Sequence, residues 1–93
     1  MKNVKMKDGQ LLTMYRLADD VLEENKRQIV KWGVESLRPT AWASIIAEEM
    51  GELSKELLEY EYSGKLSPNL RVEAIQLATL ALKIAEMTER GKR

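Results

Sequence analysis

A chain of 93 residues is long enough for one small domain, and its 44% hydrophobic and 32% charged residues are typical of a globular protein. Fifteen basic residues balance fifteen acidic ones, so the chain lacks the net positive charge that favours non-specific nucleic-acid binding. It contains no cysteine and no histidine, which excludes disulfide bonds, zinc sites built from those residues, and Ser-His or Cys-His nucleophilic centres.

Residues 1–9 are predicted to be a flexible basic tail that ends at Asp8-Gly9. The tail has neither a long apolar core nor a small-residue cleavage site, so we do not expect a signal peptide. No stretch approaches the ~20 apolar residues that a membrane-spanning helix needs. The sequence therefore predicts a cytoplasmic protein with no membrane partner.

Apolar residues at helical spacing predict a first helix from about residue 10 to residue 32. They are Leu11, Met14, Tyr15, Ala18, Val21, Leu22, Ile29 and Trp32. Gly33 follows directly, and we expect it to end the helix, since glycine adopts the backbone conformation found just after a helix C-terminus.

A second helix is predicted from Thr40, as its N-cap, to about Tyr62, with Gly64 ending it. Ser67-Pro68 is a favoured pair for the N-cap and first residue of a third helix, which we expect to continue to about Glu89. The basic residues that follow suit the negative end of its dipole; they are Arg90, Lys92 and Arg93.

These elements predict an all-α domain over residues 10–90, built as an antiparallel helical bundle of about three main helices. Between Ala74 and Met87, apolar side chains of the third helix point in nearly every direction, so two partner helices cannot easily cover them. We therefore expect oligomerisation, as a homodimer or homotetramer, to complete the bundle. The alternative is a monomer with a few exposed Ala and Leu side chains.

Carboxylates interrupt the apolar stripe of the second helix. The stripe is Ile45, Ile46, Met50, Leu53 and Leu57, and Glu49 and Glu52 lie on or beside the same face. A partly buried carboxylate must find a partner or take up a proton, because an unpaired charge is costly to desolvate. A divalent cation is the obvious partner.

The third helix repeats this pattern with Glu73 and Gln76, which are three residues apart and share a face. Antiparallel packing would bring them towards Glu49 and Glu52, although a turn centred near Lys65 leaves an offset of roughly 7 Å along the axis. Without Cys or His, carboxylate and amide oxygens favour Mg²⁺ or Mn²⁺ with several retained waters.

Together these motifs resemble those of the MazG-like all-alpha nucleoside triphosphate pyrophosphatases, particularly the short phage-type members. The matching elements are Glu48-Glu49-x-Gly51-Glu52-Leu53, Glu73-x-x-Gln76, Arg27-Gln28-x-x-Lys31-Trp32-Gly33, Pro39 with Trp42, and the Ala-rich stretch after Gln76. They cover most of residues 24–87.

The resemblance implies Mg²⁺-dependent hydrolysis of a nucleoside triphosphate to the monophosphate and pyrophosphate by an oligomer. Glu49, Glu52 and Glu73 match the family's metal positions, with Gln76 as a further ligand, and Glu48 matches the first Glu of the motif. Glu48, Glu49 and Glu52 are accordingly the candidate catalytic residues. Gln76 stands where the family has Asp, so the site has one charge fewer. The alternative is a catalytically inactive helical oligomer that binds a nucleotide or a protein partner.

Plainer interpretations remain open for individual residues. The three glutamates of the second helix could form a solvated acidic face, and Gln76 could be a buried amide at an oligomer interface. Trp32 and Trp42 are either core residues or a wall for a nucleotide base. Lys31, or less favourably Arg27 or Lys55, could bind phosphate or be an ordinary surface charge. Lys31 and Trp32 are the candidate substrate-binding residues.

Overall fold

The computed structural model describes residues 5–7, 9–33 and 37–89, and these residues form three helices and no strand. The helices are α1 (Gln10–Trp32), α2 (Pro39–Ser63) and α3 (Pro68–Glu89). The all-α prediction and the number of main helices are therefore confirmed. Most of the predicted tail lies outside the described residues, as do the basic residues after Glu89.

Glycines end α1 and α2 as the sequence predicts. The backbone N–H of Gly33 donates to the Ile29 carbonyl at 2.7 Å, and that of Gly64 donates to the Tyr60 carbonyl at 2.9 Å. Gly64 has φ 73° and ψ 5°, the left-handed conformation that closes a helix while satisfying a terminal carbonyl.

The predicted start of α2 is wrong by two residues. Arg38, not Thr40, is the N-cap, with extended backbone at φ −63° and ψ 148°, and Pro39 is the first helical residue. Proline is well suited to that position because its φ is already near the helical value and its missing N–H would have had no partner there.

The predicted start of α3 is confirmed. Ser67 Oγ accepts a hydrogen bond from the Asn69 backbone N–H at 3.1 Å, which satisfies one of the donors left free at a helix N-terminus. Pro68 is the first helical residue, and the helix extends to Glu89. The Ser67-Pro68 signal acts through contacts within a few residues, so tertiary packing does not change where α3 begins.

The third helix packs against both of the others. Arg71 forms an ion pair with Asp20 of α1, and the Gln28 side-chain Nε2 lies 3.4 Å from the backbone carbonyl oxygen of Gln76. Glu49 of α2 meets α3 at Gln76. The helix α3 therefore occupies the middle of the fold and positions residues from all three helices.

Few side chains are buried within one chain. Among the described residues, the buried apolar side chains are Trp42 and Leu80, and the buried polar ones are Gln28 and Thr79. Met50 and Leu57, predicted on the buried stripe of α2, are 52% and 50% exposed, so that stripe is only partly covered. None of the described helices is sufficiently long and apolar to cross a bilayer.

Candidate functional site

Two carboxylates and one amide converge where α2 meets α3. One terminal atom of the Gln76 amide lies 3.2 Å from Glu49 Oε2 and 3.3 Å from Glu73 Oε2. With nitrogen at that position, the amide donates a hydrogen bond to each carboxylate. With oxygen there, three oxygens would face one another, and only a cation or a proton would offset their repulsion. The two orientations differ by a half-turn about one side-chain bond.

The Glu73 carboxyl is the electrostatically strained member of this cluster. Its pKa is raised above the ordinary value of 4.5, first by burial and then by contact with Glu49. The negative charges of Glu52 and Glu56 raise this pKa further. Three carboxylates of α2 therefore act on the Glu73 carboxyl of α3.

The donor set, carboxylate and amide oxygens without His or Cys, would suit a hard cation such as Mg²⁺ or Mn²⁺. Adjacent oxygens in an octahedral shell at 2.0–2.1 Å from the ion are about 2.9 Å apart, so the Gln76 atom at 3.2 and 3.3 Å from the two carboxylate oxygens would have to move closer to both for the three to bind one ion. Among the described residues, no group of three or more His, Cys, Asp or Glu side chains is arranged to hold a metal ion, so the third protein ligand would be the Gln76 amide. Two carboxylates suffice for Mg²⁺ where waters and phosphate oxygens complete its shell.

The structure separates the predicted acidic residues of α2. Glu49 is half-buried and contacts the cluster, whereas Glu52 is exposed and acts on Glu73 through its charge. Glu48 is also exposed, and none of the hydrogen bonds and ion pairs among the described residues involves it. Of the three, Glu49 is therefore the residue that meets the third helix.

A polar group on α1 lies beside the acidic cluster; Arg27 and Gln28 were named from the sequence, and Glu24 was missed. Arg27 donates from Nε and Nη2 to the two oxygens of Glu24 at 2.9 and 2.6 Å, and Gln28 Nε2 donates to Glu24 at 2.8 Å. The pKa of Arg27 is raised, first by this bond to Glu24 and also by the charge of Glu49. The i, i+3 and i+4 spacing of these residues on α1 was the available signal.

The two tryptophans have different environments. Trp42 is buried, at 7% exposure, as the core interpretation expects. Trp32 is half-buried, and its ring centroid lies 4.9 Å from Lys31 Nζ and 5.9 Å from Lys83 Nζ. Burial lowers the pKa of Lys83, against the opposing charge of Glu24. Lys83 was not a candidate from the sequence, because a single Lys in an apolar helix carries no spacing signal.

No protein-family model matches the chain, and neither a curated protein nor a solved structure matches it.

Proposed function

We propose that this chain is a MazG-like, Mg²⁺-dependent nucleoside triphosphate pyrophosphohydrolase that converts an NTP or dNTP to the monophosphate and pyrophosphate. The observation that carries the proposal is the convergence of Glu49, Glu73 and Gln76, all oxygen-bearing side chains, at one place between α2 and α3. The sequence motifs around these residues, and their resemblance to the pyrophosphatase family, supply the reaction.

In this proposal, Glu49, Glu73 and Gln76 hold Mg²⁺, and the exposed Glu52 reaches it directly or through water. Mg²⁺ bound there would neutralise phosphate oxygens and lower the pKa of a bound water, which are the main requirements of phosphoanhydride hydrolysis. Glu48 has no protein partner among the described residues and is free to orient that water.

The substrate would approach from the α1 side of the cluster. The Lys31 and Lys83 ammonium groups, which lie over the Trp32 ring, can bind phosphate, and the ring can stack on a base once a lysine moves aside. The charge of Glu49 acts on Arg27, whose guanidinium is paired with Glu24. Both nucleotide and enzyme would be present together in the cytoplasm.

Pyrophosphate release tests this activity. The chain is incubated with each common NTP and dNTP in Mg²⁺ or Mn²⁺, and we expect release with at least one nucleotide. Glu49→Gln removes a charged ligand and should lower the rate by roughly 100-fold or more. Glu61→Gln is the matched control, because it removes an exposed carboxylate from the same helix and should leave the rate unchanged. Full activity of Glu49→Gln would exclude the proposed site.

A second candidate, nucleotide binding without hydrolysis, is favoured by one observation. Gln76 is neutral, and as a hydrogen-bond donor it already satisfies Glu49 and Glu73. Calorimetry with Mg²⁺ and a non-hydrolysable nucleotide separates the two functions. Binding without turnover in the parent chain, with turnover gained in Gln76→Asp, would support the second candidate.

We also propose that the α2 and α3 helices pack antiparallel and that a homodimer or homotetramer completes the bundle. Fifteen large apolar side chains are exposed among the described residues, thirteen of them on the three helices, which is more than a small monomer usually leaves in water. Short linkers such as residues 64–67 ordinarily join antiparallel neighbours.

A further inference from the structure

Gln76 stands between two carboxylates that belong to different helices. One terminal atom of its amide lies 3.2 Å from Glu49 Oε2 on α2 and 3.3 Å from Glu73 Oε2 on α3. An amide nitrogen carries two N–H donors, so nitrogen at that position satisfies both carboxylates at once. Each of these hydrogen bonds has a charged acceptor, which makes it stronger than a bond between neutral groups. The Gln76 amide therefore joins α2 to α3 through the acidic cluster.

Gln76 does this where the chain supplies no cation. None of the ion pairs among the described residues includes Glu49 or Glu73. The negative charges of Glu52 and Glu56 also act on Glu73, so the cluster as a whole is strongly acidic. Without a donor between them, the carboxylates of the two helices would repel each other. The Gln76 amide is thus the group that offsets this repulsion in the metal-free chain.

The same amide has to rotate before an ion can bind. In the donor orientation, hydrogens rather than lone pairs face Glu49 and Glu73, so a cation bound there would meet positive partial charge. A half-turn about the terminal side-chain torsion of Gln76 presents the oxygen instead, and such torsions have a broad, two-fold energy profile. The two amide orientations therefore correspond to a metal-free and a metal-bound site.

A neighbouring amide on α1 contacts the backbone of Gln76. Gln28 is 1% exposed, and its Nε2 lies 3.4 Å from the Gln76 carbonyl oxygen. The Oε1 of Gln28 is buried and has no hydrogen-bond partner among the described residues. A buried acceptor needs a donor, and a water retained by a bound Mg²⁺ ion would supply one. The contacts of Gln28 thus also suit a site that takes up a hydrated ion.

We propose that Gln76 takes the place of the cation in the metal-free site, so that Mg²⁺ enters together with the triphosphate rather than as a free ion. This inference rests on the proposed function and specifies its substrate as the Mg²⁺ complex of the nucleotide. A free ion would have to break both hydrogen bonds of Gln76 and would gain two ligand charges, those of Glu49 and Glu73. Triphosphate oxygens that arrive with the ion supply further ligands, as is usual where one or two carboxylates hold Mg²⁺.

An acidic residue at position 76 would behave differently. Its carboxylate would add a third negative charge beside Glu49 and Glu73 and would donate no hydrogen bond, so the metal-free site would be destabilised. The added charge would also attract a free divalent ion more strongly. The neutral amide of Gln76 therefore stabilises the metal-free protein and lowers its affinity for free Mg²⁺.

Thermal unfolding followed by circular dichroism tests this role of Gln76 without an enzymatic assay. Gln76→Glu keeps the shape of the side chain and replaces the donor by a charge, so in EDTA it should unfold about 4–8 °C below the parent. Excess Mg²⁺ should raise the midpoint of this variant and leave that of the parent within about 1 °C. Thr88→Glu is the matched control, because it adds the same charge at an exposed position about 18 Å farther along α3 and should not respond to Mg²⁺.

Gln76→Met decides the question if the glutamate variant does not fold. This substitution removes both donors and adds no charge, so the variant should unfold below the parent in EDTA. A Gln76→Met midpoint equal to that of the parent would overturn the proposal. So would a rise in midpoint with Mg²⁺ that is as large in the parent as in Gln76→Glu.

Isothermal titration calorimetry tests whether the ion and the triphosphate enter together. The probe is inorganic triphosphate, the part that all NTPs and dNTPs share, titrated with and without Mg²⁺. We expect the parent to bind the Mg²⁺ complex about 10-fold or more tightly than it binds triphosphate alone or Mg²⁺ alone. Gln76→Glu should bind Mg²⁺ alone about 10-fold or more tightly than the parent does. Equal triphosphate affinity with and without Mg²⁺ would contradict joint entry.

These outcomes are separable from those of the pyrophosphate-release assay. A parent chain that binds the Mg²⁺ complex as expected but hydrolyses no nucleotide would contradict the proposed hydrolase and support the role of Gln76. Conversely, a parent chain that releases pyrophosphate and binds free Mg²⁺ as tightly as Gln76→Glu does would support the hydrolase and overturn this inference.

Discussion

Glu24 shows how a polar residue is made stable inside this helical fold. Its side chain is 12% exposed and accepts hydrogen bonds from Arg27 and Gln28. These contacts favour the charged form, and the pKa of Glu24 is lowered from 4.5, chiefly by the hydrogen bond from Arg27 and against the effect of burial. The contribution of Glu24 to stability therefore depends on pH.

We predict that this contribution is full above pH 4.5 and is lost as the pH falls through the lower pKa of the folded state. Below pH 4.5 the unfolded chain takes up a proton at Glu24 while the folded chain resists it, so the free energy of unfolding falls. Urea unfolding at a series of pH values should show a smaller acid-side loss in Glu24→Gln than in the parent.

Glu23→Gln is the control for this prediction. Glu23 forms an ion pair with Lys26 at 3.0 Å, but both side chains are more than 70% exposed, at 72% and 73%. Exposed pairs of this kind contribute little to stability. A loss of acid dependence in Glu23→Gln equal to that in Glu24→Gln would contradict the special role of Glu24.

The acidic cluster shows which features of the candidate site could be predicted from residue spacing. Pattern alone placed Glu49 and Glu52 on one face of α2 and Glu73 and Gln76 on one face of α3. It did not show that Glu49 would be the one to contact Gln76, since the offset between two packed helices depends on the side chains between them.

At the scale of the elements, one glycine within α2 and one directly after it have opposite conformational requirements. Gly64 follows the helix with φ 73°, where a side chain is strained, whereas Gly51 lies within the helix, and nothing lies within 4 Å of a Cβ built on it. The first position needs glycine and the second does not.

We predict that Gly64→Ala lowers the free energy of unfolding by about 1–2 kcal/mol, because alanine is disfavoured in the left-handed region. Gly51→Ala should raise it by about 0.5–1 kcal/mol, because alanine has less conformational freedom than glycine in the unfolded chain. Chemical denaturation of both variants measures the two effects. Changes of the same sign in both would contradict this account.

Helix ends were predicted well where the signal is local. Ser67-Pro68 and Gly64 act through hydrogen bonds within a few residues, so neighbouring sequence suffices to identify them. The start of α2 was placed two residues late because Thr40 is a good N-cap and Pro39 a good first residue, and the two signals compete. Arg38 has extended backbone and is the N-cap, so Pro39 is the first helical residue.

At the scale of the whole molecule, the shape is open for a chain of this length. Its radius of gyration is 15.4 Å, compared with about 12 Å for a compact domain of this size. Together with the few buried side chains, this openness is what the proposed oligomer would leave in one copy.

We therefore predict that thermal stability depends on protein concentration. Unfolding of a dimer includes dissociation, so mass action raises the transition midpoint as concentration increases. For a dimer of this chain, a tenfold increase should raise the midpoint by about 4 °C, as measured by circular dichroism. A midpoint that stays constant over a hundredfold range would indicate a monomer that is stable alone.

The sequence by itself determined that the chain is helical, where most helices end, and which acidic residues could act together, because periodicity and capping are local properties. Only the tertiary structure decided that Glu49 rather than Glu52 contacts Gln76 and that Trp42 rather than Trp32 is buried. Those outcomes depend on how helices cross and how far each slides along its neighbour. That geometry is set by many side-chain contacts between segments distant in sequence, so no short pattern encodes it.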